Sequence, residues 1–275
     1  GTMVDPAVRV MINEEVCEGC GDCGVQSNCL SVEPLETELG RKRTINQSTC
    51  NKDTSCLKGF CPSFVSVTGG RRRRKTGATP EARAQLMAHA ARLPDAPPRS
   101  TDSPWDLLIT GVGGTGVVTV GAVIAMAAHL EGQQASVLDF MGFAQKGGSV
   151  LSFVRIAPTQ ELLNQVRIDT QQADAVLACD AVVAASPEAL QTIRHGRTRV
   201  LVNVHETPVA DAVRDPDAQL QTDLLIEKIR FSAGDAQVET FDAQALAEQV
   251  LGDTLASNIL ALGFAWQRGL VPVGL

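Results

Sequence analysis

The sequence predicts an α/β protein in two parts: a small cysteine-rich domain, then a larger domain with a mostly parallel sheet. Three observations predict it. Seven of the eight cysteines fall between Cys17 and Cys61. From Trp105 onward, short apolar runs alternate with longer helical ones, the pattern of a parallel α/β sheet. Between the two lie Gly69-Gly70, the basic run Arg71 to Lys75 and the proline-rich stretch Pro94 to Pro104, which read as boundary and linker. The domains are therefore set at 4–70 and 105–275, joined by 71–104.

The chain has 275 residues, of which 44% are hydrophobic and 4% aromatic, with no Tyr. A core must come mainly from Val, Leu, Ile and Ala. A net charge of −7 argues against a general nucleic-acid binder, which needs a basic face. The most apolar run, Val117 to Leu130, is 14 residues long, short of the roughly 20 that span a bilayer, and reads as a buried helix. No membrane partner is expected. With no secretory signal visible, a cytoplasmic location is expected, and the cysteines point to a metal or redox site rather than disulfides. Gly1-Thr2-Met3 reads as a cloning remnant. The ending Val271-Pro272-Val273-Gly274-Leu275 has no polar tail and reads as a truncation.

The elements follow in order. Val8, Val10 and Ile12 alternate as a short strand. Ser31 to Pro34 and Gly40 to Ile45 read as a hairpin or loop between the two cysteine groups. A region so poor in large apolar residues needs a metal staple to hold it. The run Arg71–Lys75 is a solvated linker or a docking surface for an acidic partner. Pro80 to Leu93 reads as a helix, with His89 on its surface. Strands are expected at 105–110, 135–139, 149–156, 174–179, 199–204 and 237–241. Helices are expected at 117–130, after the Ser186-Pro187 cap, and at 218–229, 243–251 and 255–267. No internal repeat is evident.

Cys17-x2-Cys20-x2-Cys23 is the three-ligand loop of a bacterial-type iron–sulfur cluster. The fourth ligand of such a loop comes from a remote Cys-Pro pair, here Cys61-Pro62, so Cys17, Cys20, Cys23 and Cys61 form one [4Fe–4S] set. Cys29 then crosses to Cys50 and Cys56, whose spacing repeats that of Cys17 and Cys23 with Asp53 in the middle position. A carboxylate there is a harder donor than thiolate and leaves that iron labile. Cys29, Cys50, Asp53 and Cys56 are thus a second set. The alternative is that Cys29, Cys50 and Cys56 pack around a single cluster. Zinc is the rival metal, in a chain that would then be a non-catalytic, zinc-stapled interaction module. Cys179, far from the others in sequence, is expected in the core.

The turn Gly111-x-Gly113-Gly114-x-Gly116 follows a strand and opens a helix. Glycines there permit a tight turn, and helix N-terminal amides hold an anion. Asp139 ends the next strand, near where a dinucleotide site carries its ribose-binding acid. On those features alone, an NAD(P)-dependent oxidoreductase with a fused ferredoxin competes with simple helix–strand packing. A second glycine segment, Lys146-Gly147-Gly148, leads into a strand and could grip a phosphate or shape an interface.

Ile109 to Thr119 together with Ala144 to Val150 resembles the gamma-type domain of the thiamine-dependent 2-oxoacid:ferredoxin oxidoreductases. Cys17-Glu18-Gly19-Cys20-Gly21-Asp22-Cys23 with Ser55 to Phe64 is similar to the ferredoxin-like segment of the large indolepyruvate ferredoxin oxidoreductases. The resemblance implies oxidative decarboxylation of an aryl 2-oxoacid on thiamine diphosphate with Mg²⁺, electrons leaving through the clusters to an external ferredoxin, and the acyl group passing to coenzyme A. It implies that this chain is a fragment lacking the thiamine machinery. It would carry no catalytic acid, base or nucleophile and would act within the parent enzyme's remaining domains, in a homo-oligomer. Gly111, Gly113, Gly114, Gly116, Lys146, Gly147 and Gly148 are then candidates for the coenzyme A side or for an interdomain interface.

Overall fold

The computed structural model describes residues 6–70, 77–94, 96–97, 102–142, 148–206 and 221–274. They divide into two compact units, 6–70 and the described residues from 77 onward. No helix among the described residues is long and apolar enough to cross a membrane.

The first unit is built from two antiparallel strand pairs. Strand β1 (Val8–Ile12) pairs with β4 (Phe64–Thr68), and β2 (Val32–Thr37) pairs with β3 (Gly40–Ile45) in a hairpin. Helix α1 (Asp22–Ser27) follows the first cysteine loop, and a 3₁₀ turn, Ser55–Lys58, follows the second. The interior is small. Val10, Ile12, Val32 and Ile45 are buried together with Cys17 and Cys56, and Cys23, Cys29, Cys50 and Phe64 pack against them.

The second unit begins with helix α2 (Pro80–Ala90), which the Thr79 hydroxyl caps by accepting from the Ala82 amide at 3.2 Å. Its sheet contains β5 (Trp105–Val112), β6 (Gln134–Met141), β7 (Ser149–Ala157), β8 (Ala175–Ala178), β9 (Arg199–Asn203) and β10 (Val238–Phe241). The spatial order is β10-β9-β8-β5-β7-β6. Five strands run parallel, and β7 runs against its neighbours β5 and β6. The mostly parallel sheet is thus observed, with one reversed strand that the sequence pattern does not distinguish. A strand buried on both faces reads as a continuous apolar run in either direction.

Helices cover both faces. Helix α3 (Val117–Leu130) and the last helix, α8 (Ser257–Gln267), pack on the face carrying Leu107, Ile109, Val154 and Leu177. Short helices α4 (Ala181–Ala184) and α5 (Pro187–Leu190) follow β8, and α4 and α6 (Thr222–Ala233) pack on the other face. Helix α7 (Ala243–Leu251) packs on α8. Helix α3 has the predicted bounds but is buried on one side only. Val123, Met126 and Leu130 of its outer side are 45%, 58% and 79% exposed, so its uniform apolarity is not explained by the sheet alone.

Arg155 on β7 sits opposite Asp106 on β5 and holds its carboxylate at 3.3 Å. Both side chains are largely buried. Burial lifts the Asp106 carboxyl from 3.8 to about 6, and the Arg155 guanidinium opposes that rise. Removing one partner of a buried ion pair leaves an uncompensated charge. Arg155→Met is therefore expected to cost about 3–5 kcal/mol at neutral pH, measured by urea unfolding.

Candidate paired cysteine loops and glycine turn

The first cysteine loop is anchored where it leaves β1. The Asn13 amide donates to the Ser63 carbonyl at 2.7 Å, and the Cys17 amide donates to the Asn13 carbonyl at 3.0 Å. These bonds bring Cys17 and the Cys61 arm to one end of the strand pair. The Gly19 amide then donates to Cys17 Sγ at 3.4 Å. Gly19 and Gly21 both have φ of 77°, a left-handed turn that folds the loop back and starts α1. Cys61 Sγ lies 3.0 Å from Ser63 Oγ.

The same frame recurs thirty-three residues later. The Asn46 amide donates to the Ser31 carbonyl at 2.8 Å, and the Cys50 amide to the Asn46 carbonyl at 3.1 Å. The Lys52 amide donates to Cys50 Sγ at 3.4 Å. Lys52 and Thr54 are left-handed, at φ 62° and 57°, where the first loop has glycines. Cys29 stands before Ser31 as Cys61 stands before Ser63. The unit is therefore an internal repeat, and the expectation of none is corrected. The sequence hides it because Lys52 and Thr54 occupy turn positions that glycine would advertise.

The sulfurs fall into two groups. Burial pushes the Cys23 thiol up to about 11; the Gly24 amide and Arg43 pull it down, while Cys17 and Cys20 raise it. Burial also raises the Cys56 thiol, and its neighbours Cys29, Cys50 and Asp53 add to the rise. Cys17, Cys20 and Cys23 thus share one neighbourhood, and Cys29, Cys50, Asp53 and Cys56 the other. Asp53 holds its own turn: Oδ1 accepts from the Ser55 amide at 3.0 Å and hydroxyl at 2.7 Å, and Oδ2 accepts from Asn51 Nδ2 at 3.2 Å. Among the described residues, no three His, Cys, Asp or Glu side chains converge to hold a single metal ion.

This donor set fits iron–sulfur clusters. Thiolates are the matched ligands, and the Gly19 and Lys52 amides donate to Cys17 Sγ and Cys50 Sγ. The raised thiol values mean that a metal must displace protons as it binds. The first loop also lies directly on β3. A Cβ on Gly19 would stand 2.2 Å from the Arg41 carbonyl oxygen. Gly19→Ala is expected to destabilise the first unit by at least about 1–3 kcal/mol, read as lost hydrogen-exchange protection along β2 and β3.

In the second unit, Gly111 is the penultimate residue of β5 rather than part of the turn. A Cβ there would stand 2.4 Å from Val117 Cγ2 and 3.2 Å from Cys179 Cβ, so Gly111 permits close packing. Gly113 is anchored by its amide, which donates to the Gly148 carbonyl at 2.8 Å. Gly114 and Gly116 are left-handed, at φ 88° and 95°, and a Cβ on either would meet open space. The loop is steadied from α8, whose Asn258 side chain donates from Nδ2 to the Thr115 carbonyl at 2.8 Å. Lys146 and Gly147 lie outside the described residues.

The turn also lies at a topological switch point of the sheet. Adjacent parallel strands β5 and β8 send their chains to helices on opposite faces, the arrangement that places ligand sites in open α/β sheets. Asp139 does not lie at that point. Strand β6 continues past it to Met141, and β7 stands between β6 and β5. The ribose-binding position that a dinucleotide site needs is therefore not formed by Asp139.

Asp180, which sequence reasoning did not single out, does belong there. It caps α4, with Oδ1 accepting from the Val183 amide at 2.8 Å. Its Oδ2 is buried without a hydrogen-bond partner, 3.6 Å from where a Cβ of Gly111 would stand. Burial lifts the carboxyl from 3.8 to about 6, against the amides of Val183, Val182 and Val112. Its neighbour Cys179 is buried, as expected, and its thiol is pushed well up by the same burial and by Asp180. A carboxyl raised by folding binds its proton more tightly in the folded state. Its stabilising contribution is full below 3.8 and is lost as pH rises through about 6. Asp180→Asn keeps the cap and removes the charge. It is expected to exceed the wild type in stability by about 1–3 kcal/mol at neutral pH, with the gain vanishing in acid, as read from urea melts across that window.

Residues 106–274 match the family model described as pyruvate ferredoxin/flavodoxin oxidoreductase. The chain is 27% identical over 161 residues to indolepyruvate oxidoreductase subunit IorB of Methanothermobacter thermautotrophicus, covering 58% of this chain and 77% of that protein. It is 27% identical over 169 residues to the pyruvate/ketoisovalerate oxidoreductases common subunit gamma of Thermococcus litoralis, covering 59% and 77%. Among solved structures it is similar to pyruvate oxidoreductase subunit PORC of Thermotoga maritima, at 18% identity and a TM-score of 0.43, covering 62% and 79%.

Proposed function

The chain belongs to the pyruvate ferredoxin/flavodoxin oxidoreductase family, and from that premise we propose that it is the electron-passing and gamma-type part of a 2-oxoacid:ferredoxin oxidoreductase of indolepyruvate type. The observation that carries the reading is the repeated cysteine frame, set in the same chain ahead of the family domain. Relatives named as indolepyruvate oxidoreductase and pyruvate/ketoisovalerate oxidoreductase subunits support the substrate class.

In this reading Cys17, Cys20, Cys23 and Cys61 hold one [4Fe–4S] cluster. Cys29, Cys50, Cys56 and Asp53 hold a second, for which Asp53 must turn from Ser55. Such clusters supply one-electron transfer at low potential, with local charge and hydrogen bonds to sulfur setting the value. The chain's own residues supply those settings: the Gly19 and Lys52 amides steady the sulfurs, and burial of Cys17 and Cys56 keeps water from them. Thiamine diphosphate and Mg²⁺ belong to the parent enzyme's other domains, and an external ferredoxin takes the electrons.

The glycine turn is assigned to the coenzyme A side. Gly114 and Gly116 leave the backbone open, and the α3 N-terminus favours an anion. Asp180 beneath the turn opposes an anion when ionised and stops opposing it once protonated.

Anaerobic iron and sulfide analysis with low-temperature EPR tests the cluster assignment. About eight irons and eight sulfides per chain are expected for two such clusters. Asp53→Cys is expected to hold its fourth iron more firmly under mild oxidation, seen as loss of any three-iron signal. About four irons would remove the second cluster, and zinc without sulfide would overturn the reading.

A further inference from the structure

Chain segments that carry cysteines of both groups meet at one surface of the first unit. Helix α1 contains Cys23, the 3₁₀ turn Ser55–Lys58 contains Cys56, and Cys61 follows directly on Phe60. Helix α1 packs on the 3₁₀ turn. Gly59 permits this, since a Cβ there would stand 2.5 Å from Asp22 Oδ2 and 3.5 Å from Gln26 Cγ. Val25 shares one side of α1 with Asp22 and Gln26, by the spacing that makes helix residues neighbours.

The surface so formed is apolar. Val25 and Leu57 are exposed, and Phe60 is the most exposed large apolar side chain among the described residues. Leu57 is bonded to the buried Cys56 and Phe60 to the half-buried Cys61, so an apolar side chain stands beside a cysteine of each group. Asp22, Gln26 and Lys58 are exposed and flank the patch, as polar residues rim the apolar core of an interface. Its size indicates the occupant. A Phe side chain buries about 150–250 Å², and two partly exposed aliphatic residues add less. That is far short of the roughly 2,000 Å² or more of a permanent interface, and it suits the encounters of electron-transfer proteins, which bury less than about 1,200 Å².

We propose that Phe60, with Val25 and Leu57, is the docking patch for a small electron-transfer protein that takes the electrons leaving this chain. This rests on the cluster reading above. Electron tunnelling falls steeply with distance, and a partner seated here lies against the segments that carry Cys56 and Cys61. One electron passes: the chain is oxidised by one, the partner is reduced by one, and no bond or proton changes. Phe60 anchors the partner and is not a ligand.

The test is stopped-flow mixing of the full chain, photoreduced without oxygen, with an oxidised two-cluster ferredoxin. Phe60→Ala is expected to lower the second-order rate constant about tenfold, with iron and sulfide content unchanged. Phe60→Leu should retain most of the wild-type rate. Phe231→Ala, which removes an exposed ring from the second unit, should leave the rate unchanged. Should Phe60→Ala fail to hold iron, Val25→Ser carries the same test with a smaller fall in the same direction. A rate unmoved by the patch variants, or lowered as much by Phe231→Ala, overturns the proposal and leaves the patch to another domain of the parent enzyme. So does a cluster-loaded wild type that transfers nothing to the ferredoxin. A chain that sediments as a dimer and is made monomeric by Phe60→Ala also overturns it, because the occupant is then a second copy. Wild-type protein without iron and sulfide overturns the cluster reading itself, and is recognised before any partner is added.

Discussion

The first unit depends on burying sulfur where a domain would ordinarily bury hydrocarbon. Its interior has four buried aliphatic residues, Val10, Ile12, Val32 and Ile45, and the rest of its buried cluster is Cys17 and Cys56. Each aliphatic contributes about 1.5–3 kcal/mol on burial. Ordering the backbone costs about 1–2 kcal/mol per residue, so so small an apolar interior is a weak hold on the unit's described residues. The repeated frame shows where the rest comes from. Asn13 and Asn46 join the strand pairs to the loops, and left-handed turns wrap each loop around its thiols. In the proposed reading the clusters carry folding energy as well as electrons, because a ligand bound only by the folded state stabilises it.

The second unit depends on a different constraint, the insertion of β7. A strand running against its neighbours separates β6 from β5 and carries Asp139 away from the glycine turn. Its entry also supplies the Gly148 carbonyl that fixes Gly113. The same strand that removes the acid expected of a dinucleotide site therefore shapes the turn that remains. Ser152 on β7 lies beneath Gly121 of α3, where a Cβ would stand 2.7 Å from its hydroxyl oxygen, so the helix is seated by the absence of a side chain. The buried Asp180 carboxyl lies 3.6 Å from where a Cβ of Gly111 would stand, at the strand end from which that turn leads.

Much of this was legible in the sequence, and the exceptions have physical causes. Helices 117–130 and 243–251 fall at the expected bounds, and the structure shows Asp242 and Gly252 capping the latter. The helix placed at 218–229 is observed as Thr222–Ala233, ending at Gly234. The direction of β7 was not legible, since direction leaves no trace in a strand apolar on both faces. Asp180 was passed over because an Asp after a strand reads as an ordinary cap; its unpartnered oxygen is a property of packing. The cysteine spacing was legible, yet the frame around it was not. Backbone turns at Lys52 and Thr54 reproduce those at Gly19 and Gly21 without sharing a residue type.

That last point separates folding from chemistry in the first unit. Where the halves agree, at Asn13 and Asn46, Ile12 and Ile45, Ser63 and Ser31, the shared residue makes the same bond or fills the same space. The fold requires it twice. Where they differ under the same backbone geometry, the fold tolerates either residue, and the difference is free to serve something else. Cys20 against Asp53 and Arg43 against Val10 are such differences. The first exchanges a soft donor for a hard one, and the second sets a cation against an aliphatic side chain. Asp53 also braces its own turn, accepting from Ser55 and Asn51. In the proposed cluster reading, two sites of one architecture would thereby differ in one ligand, a carboxylate standing where the first site has a thiolate.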